Sequence, residues 1–314
     1  MKVIPPLDIL SGSRLTSSTV TEPSAGETAW VSGSGYALGA QVIRVATHKK
    51  YTCILAITAG SAVSSTPPET NAVSTVPSWV ESGYSNKFAM FDLLRNTGTT
   101  ATNTMSIVLT PGQRIDSIAF LGMINVQSLN ITATSVAGGG VVWTRSADLN
   151  GRKTLSYYQY FFTKITTKDT KVYLDVPPYT DIVLNITLTG SGNITVGACI
   201  VGLAEFIGNV QSKATSDILN FSSVTRDSFG NASMVVRRNV PKTNQTLFLE
   251  KSNLARVLTV RDNLNATPAL WTGLDSSSDD PYFDALLILG FYRTFSIDID
   301  NPIGVYMTLE LEEV

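Results

Sequence analysis

Little in this sequence is suited to making or breaking bonds. In 314 residues there is one histidine, His48, and two cysteines, Cys53 and Cys199. Acid–base, nucleophilic and metal chemistry draw mostly on those residue types. Two cysteines this far apart predict neither a disulfide framework nor a zinc site, and both read as small buried apolar groups. Charge is scarce as well: 15% of residues are charged and the net charge is −2, against a usual share of about a quarter. The densest basic spots are the pairs Lys49-Lys50 and Arg237-Arg238, whereas a general nucleic-acid groove needs a basic stripe. No apolar run approaches the length that crosses a bilayer. The opening Met1-Lys2-Val3-Ile4-Pro5-Pro6-Leu7 lacks the long apolar core of a signal peptide. The expectation is a chain made in the cytoplasm and left unprocessed. It is expected to have no enzymatic activity, cofactor, metal, membrane span or general nucleic-acid binding.

What is present is Ser, Thr, Asn, Gly and Val in short alternating stretches. Apolar residues make up 43% of the chain, enough for substantial cores. The missing charge is replaced by uncharged polar side chains. Such surfaces suit subunit contacts and sugar recognition, where long charged side chains would cost desolvation and entropy.

The fold class predicted is mainly β, in four parts. Residues 1–20 read as an arm, mobile or laid against a neighbouring subunit, because Pro5-Pro6 forbids helix and residues 11–19 are nearly all small and polar. Residues 21–90 read as a small aromatic-rich β module. In it Val42-Ile43-Arg44-Val45 and Tyr51-Thr52-Cys53-Ile54-Leu55 form a hairpin around His48, and a Ser/Thr/Pro-rich surface loop spans 61–78. Residues 91–206 read as a jelly-roll-like β-sandwich, with strands at 105–109, 117–121, 128–133, 171–176, 181–188 and 193–202. Residues 207–314 read as an α+β domain. Its strands lie at 232–238, 246–249, 269–272, 285–295 and 305–311, with a helix capped by Ser252 running through Leu254, Val257 and Leu258.

Trp30, Tyr36, Gly39, Val42, Tyr51, Cys53 and Trp79 form the strongest local pattern, A-W-x5-Y-x2-G-x2-V-x8-Y-x-C followed by a Pro-containing loop and W-x3-G. It resembles the small chitin-binding type of carbohydrate-binding module over residues 29–83. That resemblance implies a stacking platform for pyranose C–H faces. Tyr36, Trp79 and Tyr84 are the candidates for it, with Trp30 and Tyr51 assigned to the module core. The competing reading makes all these aromatics the core of a unit too small to have another.

A second, wider resemblance rests on Asn86-Lys87-Phe88-Ala89-Met90-Phe91-Asp92, Arg226-Asp227-Ser228-Phe229-Gly230-Asn231, residues 266–271, Gly290-Phe291-Tyr292-Arg293 and the C-terminal Leu309-Glu310-Leu311-Glu312. These segments are similar to a family of tailed-bacteriophage virion proteins encoded among tail genes. The resemblance implies a structural subunit of the tail, baseplate or tail-fibre attachment region, located in the virion. Its partners would be copies of itself in a ring around the tail, other tail proteins and, through the aromatic module, a host-surface glycan.

Other groups carry weaker readings. Asp298 with Asp300, Asp279-Asp280, and Glu310 with Glu312 and Glu313 are paired carboxylates of the type that hydrolyses glycosidic bonds when one is held protonated. Their positions in a polar loop or near the chain end fit solvated faces. The loop 275–280 has the composition of a calcium loop. His48 reads as a turn residue, and seven Asn-x-Ser/Thr sequons as a by-product of composition. Three functions therefore compete: structural tail subunit, glycan-binding adhesin and surface-polysaccharide depolymerase.

Overall fold

The computed structural model describes residues 1–150, 156–162, 167–274, 281–299 and 303–314. The chain is mainly β, as its alternating stretches predict, and its strand ladders are antiparallel. Three sheets stack in layers, a further three-stranded sheet forms the module at residues 41–84, and a separate two-stranded hairpin lies at 223–235.

The outer sheet has five strands, in the order Leu15–Ser18, Thr99–Leu109, Val183–Val196, Ile124–Thr134, Val141–Asp148. The middle sheet has three, ordered Lys171–Tyr173, Ser117–Leu121, Ala198–Gly202. Period-2 alternation turns Met105, Ile107, Leu129, Ile131, Leu184 and Ile186 of the outer sheet inward onto Ile118, Phe120, Cys199 and Val201 of the middle one. This is a sandwich, and Ser, Thr and Asn line the solvent side of its outer sheet.

The middle sheet departs from the one-sided pattern. Every residue of Ser117–Leu121 and Ala198–Gly202 is buried. Their other set of side chains, Ala119, Leu121, Ala198 and Ile200, packs against Ile4, Leu270, Phe283 and Leu289. Three of those, Ile4, Leu270 and Leu289, belong to an eight-stranded terminal sheet. Its order is Glu205–Phe206, Lys2–Ile4, Ala269–Thr272, Ile288–Asp298, Gly304–Glu313, Asn239–Glu250, Asn209–Val210, with Thr215–Asn220 also paired to Asn239–Glu250. The far face of this sheet presents Val3, Trp271, Ile288, Leu247 and Met307 to Val257 and Leu264, on or just beyond the helix Leu254–Asn263. The Trp271 indole donates to the Gly290 carbonyl at 2.9 Å, which satisfies its one polar atom inside that core. The expected boundary at 206 thus falls within the terminal sheet, whose Glu205–Phe206 strand pairs with Lys2–Ile4.

The N-terminal segment is not the arm expected from Pro5-Pro6. Lys2–Ile4 lies inside the terminal sheet between two partners. The Met1 ammonium donates to the Gly208 carbonyl at 2.7 Å. Past the prolines, Leu7 N donates to the Val201 carbonyl at 2.8 Å, and Gly202 makes room: a Cβ there would stand 2.3 Å from the Pro5 carbonyl oxygen. Leu15–Ser18 then adds an edge strand to the outer sheet. Twenty residues join all three layers. The prolines exclude helix, but they leave three residues before them long enough to fill one ladder position.

Smaller differences have local causes. The expected strands at 181–188 and 193–202 are one strand, Val183–Val196, with a register irregularity after Thr189, and a second, Ala198–Gly202. Residues expected to open a strand at 285 close a helical turn, Pro281–Leu286, and the strand runs Ile288–Asp298. The helix at 254 starts after a 3-10 turn, Lys251–Asn253, and its N-cap is Asn253, whose side chain makes no capping bond, in place of Ser252. Val141–Asp148 and Trp79–Tyr84 are strands that the sequence reading did not find.

Two outcomes follow. Ile4→Ala should lower unfolding free energy in urea by about 2–5 kcal/mol, the cost of emptying a closed core site; a change near zero would mean that the first residues hang free. Burial pushes both thiols, Cys53 and Cys199, above the ordinary cysteine range. In the native chain at pH 7 neither should react with an alkylating reagent that labels both after denaturation, as read by intact mass.

Candidate functional site

The module is held by a compact core of Val42, Tyr51, Cys53, Ile57 and Trp79. Tyr51 is buried in it, as assigned. Trp30 packs against it half-buried, with the Arg44 guanidinium 4.7 Å over its ring, and Arg44 in turn grips Glu69 at 2.9 Å. The three residues expected to form an exposed stacking platform do not form one. Trp79 is 0% exposed, at the centre of the core. Tyr36 meets Trp79 edge-on at 5.0 Å, and its hydroxyl is engaged by the Val31 backbone at 2.7 Å. Tyr84, partly buried, packs against the sandwich core, with Lys49 5.8 Å from its ring centroid.

The reason is strand geometry. Trp79 opens the strand Trp79–Tyr84 and pairs with Cys53, so its side chain points to the same inner face as Cys53 and Tyr51. Residues 61–78, expected as a surface loop, contain two helical turns, Ala62–Ser65 and Pro68–Asn71. From the second, Asn71 Oδ1 accepts from Ser78 N at 2.7 Å and Trp79 N at 3.1 Å, locking the tryptophan inward.

The seam between module and sandwich holds the one histidine. His48 sits in the hairpin turn with φ 57°. It is a turn residue, as expected, but a partly buried one with partners: its Nδ1 lies 2.8 Å from Glu22 Oε2, and its ring stacks on Phe88 at 3.9 Å. The other Glu22 oxygen accepts from Ser85 Oγ at 2.6 Å. Glu22 stands between the hydroxyl and the imidazole, so the serine donates to the carboxylate and not to the histidine. Gly12 covers the far nitrogen, since a Cβ there would come within 2.7 Å of Nε2. This trio is a joint between two units. Its signal was out of reach of local reading because Glu22, His48 and Ser85 lie tens of positions apart and meet only after folding.

Three shallow clefts adjoin along the same seam, of about 270, 380 and 210 Å³, and Asn86 borders each of them. Their walls carry Glu27, Lys50, Thr100 and Asn193. Most of these polar atoms already serve the fold. Asn86 Oδ1 accepts from Thr100 N at 2.8 Å, and Glu27 accepts from Asn86 N at 2.7 Å and Ser24 N at 2.9 Å. Burial raises the carboxyl of Asp92, on the wall of the smallest cleft, although the Thr97 hydroxyl and Leu94 N bond its charged form.

The other carboxylates singled out are engaged or fall elsewhere. Glu310 pairs with Lys242, Glu312 with Arg293 at 3.1 Å, and Glu313 with Arg238 at 2.5 Å and Arg95 at 3.4 Å. Asp298 is exposed. Asp300, Asp279, Asp280 and the whole 275–280 loop lie outside the described residues. Among the described residues no three His, Cys, Asp or Glu side chains gather as a metal site, and no helix is long and apolar enough to cross a membrane.

Two short elements each expose several large apolar side chains. The helix Tyr157–Phe162 exposes Tyr157, Tyr158, Phe161 and Phe162. The hairpin Ser223–Arg226 with Ala232–Val235 exposes Val224, Phe229, Met234 and Val235 and is joined to no other sheet. Comparison of the chain with known protein families and with curated proteins finds no match.

Trp79 provides the direct check on this geometry. Its indole N–H has no acceptor among the described residues, so the ring's volume is what the module uses. Trp79→Ala should cost about 3–5 kcal/mol, and Trp79→Phe clearly less, by urea unfolding. Equal stability of Trp79→Ala and wild type would return the residue to the surface.

Proposed function

We propose that this chain is a structural subunit of a virion, in the tail, baseplate or tail-fibre attachment region, and that it works by assembling with copies of itself, without turnover. The observation that supports the reading is the contrast between its sealed layers and the exposed apolar side chains of the helix Tyr157–Phe162 and the hairpin at 223–235. Layers from the outer sheet to the helix Leu254–Asn263 are sealed against one another. Yet Phe229, Val236, Tyr157, Phe161 and Phe162 each remain 70–89% exposed. Several exposed apolar groups gathered on one short element mark a surface that meets another protein. Uncharged polar side chains over much of the remaining surface suit repeated close contacts.

The adhesin reading is weaker, because burial removes Trp79 from any platform and leaves Tyr36 and Tyr84 turned into contacts of their own. What remains to it is the polar seam around Asn86.

Light scattering on the purified chain should give a mass that is a multiple of 33.7 kDa and that rises with concentration. A strictly monomeric species at every accessible concentration would overturn the assembly reading.

A further inference from the structure

The hairpin at 223–235 is built with care and then left without support. Asp227 sets its turn, accepting from Phe229 N at 2.9 Å and Asn231 N at 2.8 Å, and Gly230 takes the left-handed conformation at φ 85°. Four residue pairs then align, from Arg226–Ala232 to Ser223–Val235. From 215 to 239, every residue except Leu219 and Ser222 is exposed. A two-stranded hairpin alone is marginal in water, and three or more strands or a packed face are needed for stability.

Its second strand is an unguarded edge. Ala232-Ser233-Met234-Val235-Val236 carries no charge and no proline, the devices that keep edges from pairing. Several other edge strands are guarded: Glu81, Asp217 and Arg145 sit on three of them, Glu205–Phe206 and Asn209–Val210 are two residues long, and the uncharged Ala198–Gly202 is buried throughout. The direction of the open bonds is fixed. Asp227 N donates to the Asn231 carbonyl at 3.1 Å. By the alternation of antiparallel ladders, Ser233 and Val235 bond within the hairpin, while Ala232, Met234 and Val236 turn N–H and C=O outward. The side chains of those same three residues share one face with Val224, the partner of Met234.

We propose that this edge pairs with the same edge of a second copy, antiparallel about a two-fold axis at Met234. In that register Met234 faces Met234 of the other copy, and Ala232 faces Val236. Each outward group finds its complement, and two marginal hairpins become one four-stranded sheet. Apolar side chains cover one another as cross-strand neighbours. The pairing needs no third element: residues 232–236 of each copy supply complementary donors and acceptors, and the exposed face that they share with Val224 lies beside them. An isologous contact of this type joins copies in pairs. The inference rests on the assembly reading and specifies its contact.

The test uses the whole chain. Met234→Pro removes an outward N–H while leaving the hairpin's own bonds, and Met234→Lys places a charge on the axis. Each should halve the mass measured by light scattering at a concentration where wild type is paired, with an unchanged circular dichroism spectrum. Independently, Met234→Cys should give a disulfide-linked dimer under mild oxidation, since facing residues of a bonded pair lie near 5.5 Å apart at Cα. Phe229→Cys, at the turn, should link at least tenfold more slowly. If wild type assembles but the Met234 variants assemble equally and Met234→Cys links no faster than Phe229→Cys, the hairpin proposal fails and the assembly reading stands. A wild-type monomer overturns both. Should Met234→Pro misfold, the cross-linking rates decide.

Discussion

The middle sheet is the constraint on which the rest of the structure depends. Ser117–Leu121 and Ala198–Gly202 bury both faces, so Ile118 and Phe120 belong to one core and Ala119 and Leu121 to another. Neither the sandwich nor the terminal sheet can be removed without exposing half of these strands. Fully buried strands of this type need cover on both sides, a condition more usual for parallel sheets than for antiparallel ones. Here the cover comes from a sheet that takes in the very start of the chain, at Val3 and Ile4, together with strands near its end. The order of folding is constrained accordingly, because the longest contacts in sequence close the central layers.

This construction gives a rigid base for whatever projects from it. The module is tied to the sandwich by Glu22, His48, Ser85 and the stacked Phe88. Its aromatics are consumed in its own small core and in that seam. Their chemistry is the chemistry of packing: Tyr51 and Trp79 supply the volume that a module of this size cannot obtain from aliphatic residues alone. The hairpin beyond Asn220 is the opposite case. Its second strand is uncharged and carries Met234 and Val235, yet its surroundings within one chain bury none of it.

Much of the architecture was legible in the sequence, and the failures have physical causes. Ser117–Leu121 was readable to the residue and the hairpin around His48 to within two residues, its strands being Gln41–Arg44 and Lys49–Cys53, because alternation and turn chemistry are local. What alternation cannot report is which layer a strand joins. The run Ala198–Gly202 is apolar throughout, and only its neighbours reveal that two cores meet there. Lys2–Ile4 was missed because three residues carry no periodicity. Trp79 was misplaced because a tryptophan has the same identity in a core and on a platform; its direction follows from pairing with Cys53, and that strand was not recognised. The Glu22–His48 contact spans 26 positions and leaves no spacing signature. The uncharged edge at 232–236 was visible as a strand, but its exposure is a property of the fold.

One chain contains layers sealed against one another and, as proposed above, an edge that closes only against another copy. Amide hydrogen exchange followed by mass spectrometry over a dilution series tests it most directly. Residues 117–121 and 198–202 should exchange slowest at every concentration, while 232–236 should be protected in concentrated protein and lose that protection on dilution. Exchange at 232–236 that is equally fast throughout, or early exchange in the middle sheet, would contradict it.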